Sequence, residues 1–421
     1  MKRYLVVLMI VGVGVVAYAQ RGAPGGGAPA APGAGAPTAG QPPAPGGGRG
    51  GGRGPQTPEQ QAAAAAQAAL EQPANQLQYD AVSLPLMPDG HTLGETVGVA
   101  QNSKKHLFVY TRSGNAGPAK GATAAQLFEF DQNGKYVKQW GPDMYGASFA
   151  HVVRVDKDDN VWVVDEGSNM VIKFNPQGLV TLVLGRKVEA IDYLEEHERE
   201  LSAAAAPPPE PGAAPAGGRG GGRGGGGAAA GCGGANFGRP TDVTWDTQGN
   251  IFVADGYTNS RVAKFDKDGA FVKCVGTRGN QPLQFSTPHT IASDAKGNIY
   301  VGDRGNSRIQ VLDPDLNLVR IINNVRAPWG MCITPPNASG QQFIYSADAG
   351  GKIFKDDLEG KPLGWFGSNG KKVGQFTWVH SIHCASETEL YTGEAQNWRV
   401  QRLMLKPAAA RPTSSSGAGA R

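Results

Sequence analysis

The sequence predicts an all-β protein, a six-bladed β-propeller accompanied by disordered segments rich in glycine, proline and alanine. Three observations predict this fold. A phrase of alternating apolar and polar residues recurs along the chain, Asp/Asn/Gly turns separate its copies, and the spacing of the copies suits a four-stranded blade of about 40–50 residues. The chain has 421 residues, of which 62 are glycine and 30 are proline. The glycines follow no period of three, which excludes collagen.

The N-terminal segment is typical of a secretory signal peptide. Lys2 and Arg3 precede a short apolar stretch, which ends in Ala17-Tyr18-Ala19. We therefore expect residues 1–19 to be removed and the mature protein to be exported, to a periplasm or outside the cell. An uncleaved anchor helix is the alternative, but the stretch is shorter than the roughly 20 residues of a membrane span. No membrane attachment is expected after cleavage.

Low-complexity segments flank and interrupt the body of the chain. A Gly/Pro/Ala-rich tether at 20–75, an insertion at about 186–236 and a tail at 406–421 have few side chains to bury, so we expect disorder. The insertion contains Arg219-Gly-Gly-Gly-Arg223, which is also compatible with an RGG-type nucleic-acid segment. Two arginines and a net charge of +4 favour a flexible loop instead. No nucleic-acid partner is predicted.

Residues 76–405 carry the repeats that predict the propeller. The clearest copies of the strand phrase are Asn160–Asp165, Asn250–Asp255 and Asn298–Asp303, with weaker copies at Leu107–Arg112, Phe343–Asp348 and Leu390–Glu394. Without the insertion, these six copies average roughly 44 residues, which fits one propeller blade each. Closing the blades into a ring leaves only short, protected sheet edges. We expect Leu77–Leu86 to add the missing strand of the last blade.

The chain contains four cysteines, Cys232, Cys274, Cys332 and Cys384. None forms a C-x-x-C pair, which excludes a zinc ribbon and a thioredoxin-like redox motif. Export permits disulfides, yet the last three cysteines lie in apolar runs. Disulfides and buried free thiols therefore both stay open.

Three of the seven histidines occupy the same position in alternate repeats. His151, His289 and His380 each lie 14 residues before an acidic residue that ends a strand phrase: Asp165, Asp303 and Glu394. Alternate blades of a six-bladed ring are related by about 120°, so these imidazoles should converge on the axis. Three neutral imidazoles with an open fourth position are the ligands of a catalytic zinc, so we predict Zn²⁺. The alternative for each histidine is an ordinary buried strand position.

Three further polar residues follow strand phrases on the same rim of the predicted ring. Arg112, Tyr257 and Arg304 lie where loops leave the sheets, beside the expected metal. Two guanidinium groups near a metal indicate an anionic substrate, most simply a carboxylate. Each arginine taken alone is also compatible with a solvated loop charge.

Four sequence motifs resemble those of peptidyl-α-hydroxyglycine α-amidating lyase, the peptidylamidoglycolate lyase family. They are Phe237–Val243, Asp255–Arg261, Gln284–His289 and Asp303–Arg308. The resemblance covers roughly residues 92–405 and implies a six-bladed propeller of NHL repeats. It also implies a carbon–nitrogen lyase that converts a peptidyl-α-hydroxyglycine into a peptide amide and glyoxylate.

The resemblance assigns roles to the residues singled out above. It implies zinc bound by the three repeated histidines, Tyr257 as the base, and Arg304 and Arg112 near the substrate carboxylate. The chain departs from the family pattern at Ser381, where an acidic residue would contribute to a structural calcium site, so Ca²⁺ is doubtful. It also departs at Trp378, where a methionine is expected.

Two other functions are compatible with the sequence. A non-catalytic secreted NHL propeller that binds a protein or glycan is the main alternative, because propellers serve both as enzymes and as scaffolds. A calcium-dependent propeller lactonase is the third, although carboxylates and amides would then be expected on the axis. The repeated histidines favour the lyase. We expect a monomer that acts on a small-molecule or peptide substrate bearing a carboxylate.

Overall fold

This computed structural model describes residues 65, 71–72, 75–88, 92–112, 125–186, 234–323 and 325–406. All of them lie in the second of the two compact units of the chain, Gln56–Arg421. The predicted signal peptide and most of the predicted tether, insertion and tail fall outside the described residues. Within the described ranges, no helix is long and apolar enough to cross a membrane.

Six four-stranded antiparallel sheets make up the described structure and confirm the predicted six-bladed β-propeller. Blade one comprises β2 (Glu95–Gln101), β3 (Leu107–Arg112), β4 (Ala125–Phe130) and β5 (Tyr136–Trp140). Blade two comprises β6 (Ala150–Val155), β7 (Val161–Asp165), β8 (Met170–Phe174) and β9 (Val180–Gly185). Blade three comprises β10 (Asp242–Trp245), β11 (Ile251–Asp255), β12 (Arg261–Phe265) and β13 (Phe271–Val275). A short parallel pair, β14 (Thr277–Arg278) and β15 (Gln284–Phe285), follows the third blade.

The remaining blades continue in chain order. Blade four comprises β16 (Pro288–Ser293), β17 (Ile299–Asp303), β18 (Arg308–Leu312) and β19 (Leu318–Ile322). Blade five comprises β20 (Gly330–Ile333), β21 (Phe343–Ala347), β22 (Ile353–Asp357) and β23 (Pro362–Phe366). Blade six contains β24 (Val379–Cys384), β25 (Glu389–Glu394) and β26 (Arg399–Leu405). The last blade takes its outer strand from the other end of the chain. That strand is β1 (Tyr79–Ser83), which pairs with β26 and places Tyr79 opposite Leu405. The expected contribution of Leu77–Leu86 is confirmed.

The apolar core lies between the blades rather than inside any one of them. Among the described residues there are six buried apolar clusters, one in each interface between neighbouring blades. A middle strand is covered on both faces, so all five residues of β7 are buried, whereas the outer strand β9 is largely exposed. This double burial explains why the repeated strand phrase is apolar almost throughout.

The turn residues of the repeat have a direct structural role. In blade two, Asp156 Oδ1 accepts hydrogen bonds from the backbone N–H groups of Asp158 and Asn160, and both Asp156 carboxylate oxygens accept from Asn160 Nδ2. Asp246 and Asp294 close the equivalent turns of the next two blades in the same way. Each aspartate carboxylate therefore accepts hydrogen bonds from backbone N–H groups of the tight turn, in place of a backbone carbonyl. It thereby fixes the hairpin between the first two strands of the blade.

A disulfide links the inner strands of the last two blades. Cys332 on β20 and Cys384 on β24 are bonded, with their Cα atoms 5.8 Å apart. Cys274 is also disulfide-bonded, and the described part of the chain contains no free cysteine. The alternative left open by the sequence is therefore decided in favour of disulfides.

Asp356 on β22 is a buried carboxyl group, 2% exposed, whose Oδ2 has no hydrogen-bond partner among the described residues. Burial, with a smaller contribution from the neighbouring charge of Asp357, raises the pKa of Asp356 from 3.8 to about 8. Between these two values the native state keeps a proton that the unfolded state has lost. Stability should therefore fall as pH rises through this window, by at most about 1.4 kcal/mol per pH unit.

Asp356→Asn is expected to remove this loss of stability. We expect the variant and the wild type to melt at similar temperatures at about pH 3, below the ordinary carboxyl pKa, where the carboxyl is largely protonated in both states. At pH 8 the variant should melt at the higher temperature, because its side chain stays neutral. Thermal unfolding across this pH range measures the difference, and identical pH profiles would contradict the prediction.

Candidate metal centre

Each of the three repeated histidines lies at a β-bulge in the innermost strand of its blade. The pairing of β6 with β7 shifts register between Ala150 and Val152, which leaves His151 as the extra residue. His289 and His380 are the extra residues at equivalent bulges in β16 and β24. A bulge re-aims the side chain of its extra residue. Here the three bulges direct the imidazoles toward one another.

Two of the three rings are anchored through Nδ1 to the backbone of the next blade. His289 Nδ1 donates to the carbonyl oxygen of Trp329 at 2.7 Å, and His380 Nδ1 donates to that of Val97 at 3.0 Å. A carbonyl oxygen can only accept, so Nδ1 carries the proton and Nε2 keeps its lone pair. This is how histidine ligands are usually oriented toward a metal.

His151 stands in a similar relation to Thr241 of the third blade. Burial lowers the pKa of His151, and the Thr241 backbone partly offsets this fall, although no acceptor among the described residues lies within hydrogen-bonding distance of its Nδ1. Thr241, Trp329 and Val97 thus alternate with the three histidines around the axis.

The acidic residue 14 positions after each histidine holds the loop that leads into the histidine strand. In each case its carboxylate accepts a hydrogen bond from the backbone N–H three residues before the histidine. The pairs are Asp165 with Ser148 at 2.9 Å, Asp303 with Ser286 at 2.7 Å, and Glu394 with Thr377 at 3.1 Å. The repeated spacing therefore has a structural cause, and it places the three bulges in equivalent positions.

The predicted convergence of the histidines is confirmed. Their ligand nitrogens all lie within 4.8 Å of one another, and their ring centroids are 4.6–5.0 Å apart. His151 and His289 are 1% exposed and His380 is 6% exposed. Three imidazole nitrogens this close together fit a divalent metal ion. Within the described ranges, no other group of three His, Cys, Asp or Glu side chains is so arranged.

Burial keeps the three imidazoles neutral. Loss of hydration lowers the pKa of His151 and of His289 well below 6.5. The neighbouring His380 and Arg112 lower the pKa of His151 further, and Arg304 lowers that of His289 further. Burial and the charge of Arg112 lower the pKa of His380 to about 3. A metal binds the neutral form of histidine, so all three are in the ligating form at neutral pH.

Tyr257 places its hydroxyl beside the histidine nitrogens. Its Oη lies 3.1 Å from His289 Nε2 and 3.3 Å from His151 Nε2. Burial raises the pKa of Tyr257, and the charge of Arg304 opposes this rise. The close approach depends on Gly256, where a Cβ atom would lie 2.0 Å from the carbonyl oxygen of Pro288.

Arg304 places at the same site a guanidinium that has no carboxylate partner among the described residues. It begins the 3₁₀ turn Arg304–Asn306 after β17, and its guanidinium lies 5.5 Å from the ring centre of Tyr257 and 4.2 Å from that of Trp329. Within the described ranges, no carboxylate forms an ion pair with it. Arg304 is therefore placed to bind an anion beside the histidines.

Arg112 is also at the site, but its guanidinium already has protein partners. Its Nε donates to the carbonyl oxygen of Ala150 at 2.7 Å, and its terminal nitrogens lie 3.3 Å from Glu95 and 3.9 Å from Glu166. The guanidinium also lies 3.8 Å from the ring centre of Phe149. The structure thus brings together all six predicted site residues, and among the described residues Arg112 has carboxylate partners whereas Arg304 has none.

Two charged residues at the site were missed by the sequence analysis. Glu166 is 2% exposed, and its carboxylate accepts hydrogen bonds from Arg239 at the entrance to blade three. The Arg239 guanidinium lies 4.7 Å from the ring centre of Tyr257. Glu166 directly follows Asp165, so its place at the end of a central strand was the available signal.

Comparison with known proteins gives a family-model match and relatives named as α-amidating enzymes. The NHL repeat family model matches residues 237–265 and 285–312. A probable peptidyl-alpha-hydroxyglycine alpha-amidating lyase of Caenorhabditis elegans is 25% identical over 74% of this chain and 83% of its own length. Peptidyl-glycine alpha-amidating monooxygenase A of Xenopus laevis is 27% identical over 75% of this chain, which spans only 30% of that protein.

A relative with a different kind of name also matches. NHL repeat-containing protein 3 of Mus musculus is 23% identical over 59% of this chain and 59% of its own length. Together these matches confirm that the chain resembles the α-amidating lyases and is related to NHL-repeat proteins.

Proposed function

We propose that the protein is an exported, zinc-dependent lyase that cleaves the C–N bond of an N-acyl-α-hydroxyglycine to give an amide and glyoxylate. The observation that carries this proposal is the set of three buried, neutral imidazoles with a tyrosine hydroxyl and a free guanidinium beside them. Zinc is the proposed metal because three imidazoles with an open position are typical of its catalytic sites. The relatives named as lyases support the reaction type.

The bound zinc would supply Lewis-acid polarisation of a substrate oxygen. The Arg304 guanidinium binds the substrate carboxylate, since it is the arginine without a carboxylate partner of its own. It thereby places the α-carbon between itself and the histidines. Arg112, held by Glu95 and Glu166, contributes positive charge at the site without needing to contact the substrate.

Tyr257 is the proposed base. Its Oη takes the proton of the α-hydroxyl group, the hydroxyl oxygen becomes the aldehyde oxygen of glyoxylate, and the C–N bond breaks with its electron pair passing to the amide nitrogen. That nitrogen takes up a proton to complete the amide. Arg304 counteracts the rise that burial causes in the pKa of Tyr257, which favours the tyrosinate form needed for this step.

Export and substrate class form part of the same proposal. The signal-like N-terminus and the Cys332–Cys384 disulfide both suit an oxidising compartment. We expect a monomer that acts on a small-molecule or peptide substrate with a free carboxylate, without a nucleic-acid or membrane partner.

Glyoxylate release from α-hydroxyhippurate tests the reaction. Zinc-loaded protein is expected to release glyoxylate and benzamide in equal amounts, and removal of the metal by a chelator is expected to abolish release until zinc is restored. Tightly bound zinc without release from this or other N-acyl-α-hydroxyglycines would contradict the lyase. Neither zinc nor release would favour the alternative of a secreted binding propeller.

A further inference from the structure

Trp329 occupies the position in blade five that histidine occupies in blades two, four and six. Its carbonyl oxygen anchors His289, and its ring lies 5.4 Å from the His289 ring. The Arg304 guanidinium lies 4.2 Å from the ring centre of Trp329. The indole is only partly buried, so it forms a wall of the site between the proposed carboxylate position and the sixth blade.

Trp378 extends this wall from the sixth blade. Its ring lies 4.9 Å from that of Trp329, with the two planes tilted by 36°. Trp378 stands two residues before His380 and has a φ of +50°, a left-handed conformation that is uncommon for a bulky residue. The half-buried indole pair therefore adjoins His289 through Trp329, and Trp378 extends it from the strand entrance that leads to His380.

The position of Arg304 indicates which part of the substrate would face Trp329 and Trp378. Its guanidinium lies between Tyr257 and Trp329, so a carboxylate bound there leaves the rest of the molecule to extend past the histidines. On the far side of Trp329 the neighbouring group is the indole of Trp378 rather than a charge. An apolar, flat group on that part of the substrate would gain both burial and aromatic contact.

We propose that Trp329 and Trp378 bind the acyl group of the substrate and make the site selective for N-acyl-α-hydroxyglycines with an aromatic or bulky apolar acyl group. This proposal rests on the proposed function for the identity of the reacting half. The selectivity itself follows from the indole pair and is open to a binding measurement that needs no turnover.

Two pairs of compounds test it. The first pair is N-benzoyl- and N-acetyl-α-hydroxyglycine, for which the benzoyl compound should have a kcat/KM about 10- to 100-fold higher, mainly through a lower KM. The second pair is N-benzoylglycine and N-acetylglycine, which lack the hydroxyl group and cannot react. Zinc-loaded protein should bind the benzoyl compound more tightly, as measured by calorimetry or by quenching of tryptophan fluorescence.

Trp378→Met is the test variant because it keeps an apolar side chain and removes the indole. It should reduce both benzoyl-to-acetyl ratios by about 3- to 10-fold. Trp398→Ala is the matched control, since Trp398 is on the same blade and 56% exposed; it should leave both ratios unchanged. Melting temperatures confirm that the variants are folded.

The outcomes separate this proposal from the lyase itself. Turnover of both compounds with equal kcat/KM would overturn the acyl-binding wall and leave the lyase intact. Absence of turnover together with tight, Trp378-dependent binding of N-benzoylglycine would support the wall and reject the lyase. Equal binding of the two unreactive compounds by the wild type would overturn the wall whether or not turnover occurs.

Discussion

Replacing Tyr257 by phenylalanine is expected to lower kcat for glyoxylate release by about 10²- to 10⁴-fold, the usual effect of losing a general base. The substitution removes one oxygen atom and keeps the ring that lies beneath the guanidinium groups of Arg304 and Arg239. All three histidines are positioned by bulges, and two of them also by backbone carbonyls, so the metal should stay bound. Steady-state kinetics and the zinc content per chain measure the two effects.

Tyr136→Phe is the matched control for this prediction. Tyr136 lies on β5, the outermost strand of blade one, so its hydroxyl is far from the histidines in the fold and its removal should not change kcat. Normal turnover by Tyr257→Phe would reject Tyr257 as the base. Loss of zinc from that variant would instead show that the hydroxyl helps to hold the metal.

The convergence of the histidines could be predicted from sequence because each repeat folds into one blade of the ring. Equivalent offsets in alternate copies become equivalent positions in alternate blades, and the ring then brings them together. The bulges at His151, His289 and His380 could not be predicted, because the extra residue is visible only in the pairing register of two strands. Without those bulges the same offsets would not settle which face of the strand the imidazole occupies.

The charges around the site were less predictable than the histidines. Arg112 ends a strand phrase and Arg304 follows one, yet among the described residues only Arg112 has carboxylate partners, Glu95 and Glu166. That difference depends on contacts between loops of separate blades at the rim. The spacing of residues within one repeat does not predict such contacts. The Glu166–Arg239 pair was missed for the same reason, since its two members are 73 positions apart in sequence.

The guanidinium of Arg154 joins several inner strands of the ring. Arg154 on β6 donates to both carboxylate oxygens of Asp242 on β10, at 2.9 and 2.5 Å. It also donates to the carbonyl oxygens of Met331 on β20 and Ile382 on β24, at 3.4 and 3.2 Å. One guanidinium thus reaches four of the six innermost strands. Its contacts with a carboxylate and two carbonyl oxygens resemble those of a bound cation such as calcium.

Arg154→Met is therefore expected to destabilise the propeller by about 3–5 kcal/mol, because it leaves the buried Asp242 carboxylate without its countercharge. This corresponds to a fall in melting temperature of about 5–10 °C. Arg402→Met is the control, since Arg402 forms an exposed ion pair with Glu389 and should cost less than about 1 kcal/mol. Thermal and denaturant unfolding measure both variants.

A double substitution distinguishes loss of charge balance from loss of packing. If the unpaired Asp242 carboxylate causes the destabilisation, then adding Asp242→Asn to Arg154→Met should restore part of the lost stability. If the double variant is less stable than Arg154→Met alone, packing rather than charge explains the effect.

Because Arg154 supplies positive charge to the inner strands, and Ser381 supplies no carboxylate, added calcium should not raise the melting temperature of the zinc-loaded wild type. A clear rise would show that the chain binds calcium in addition to this arginine.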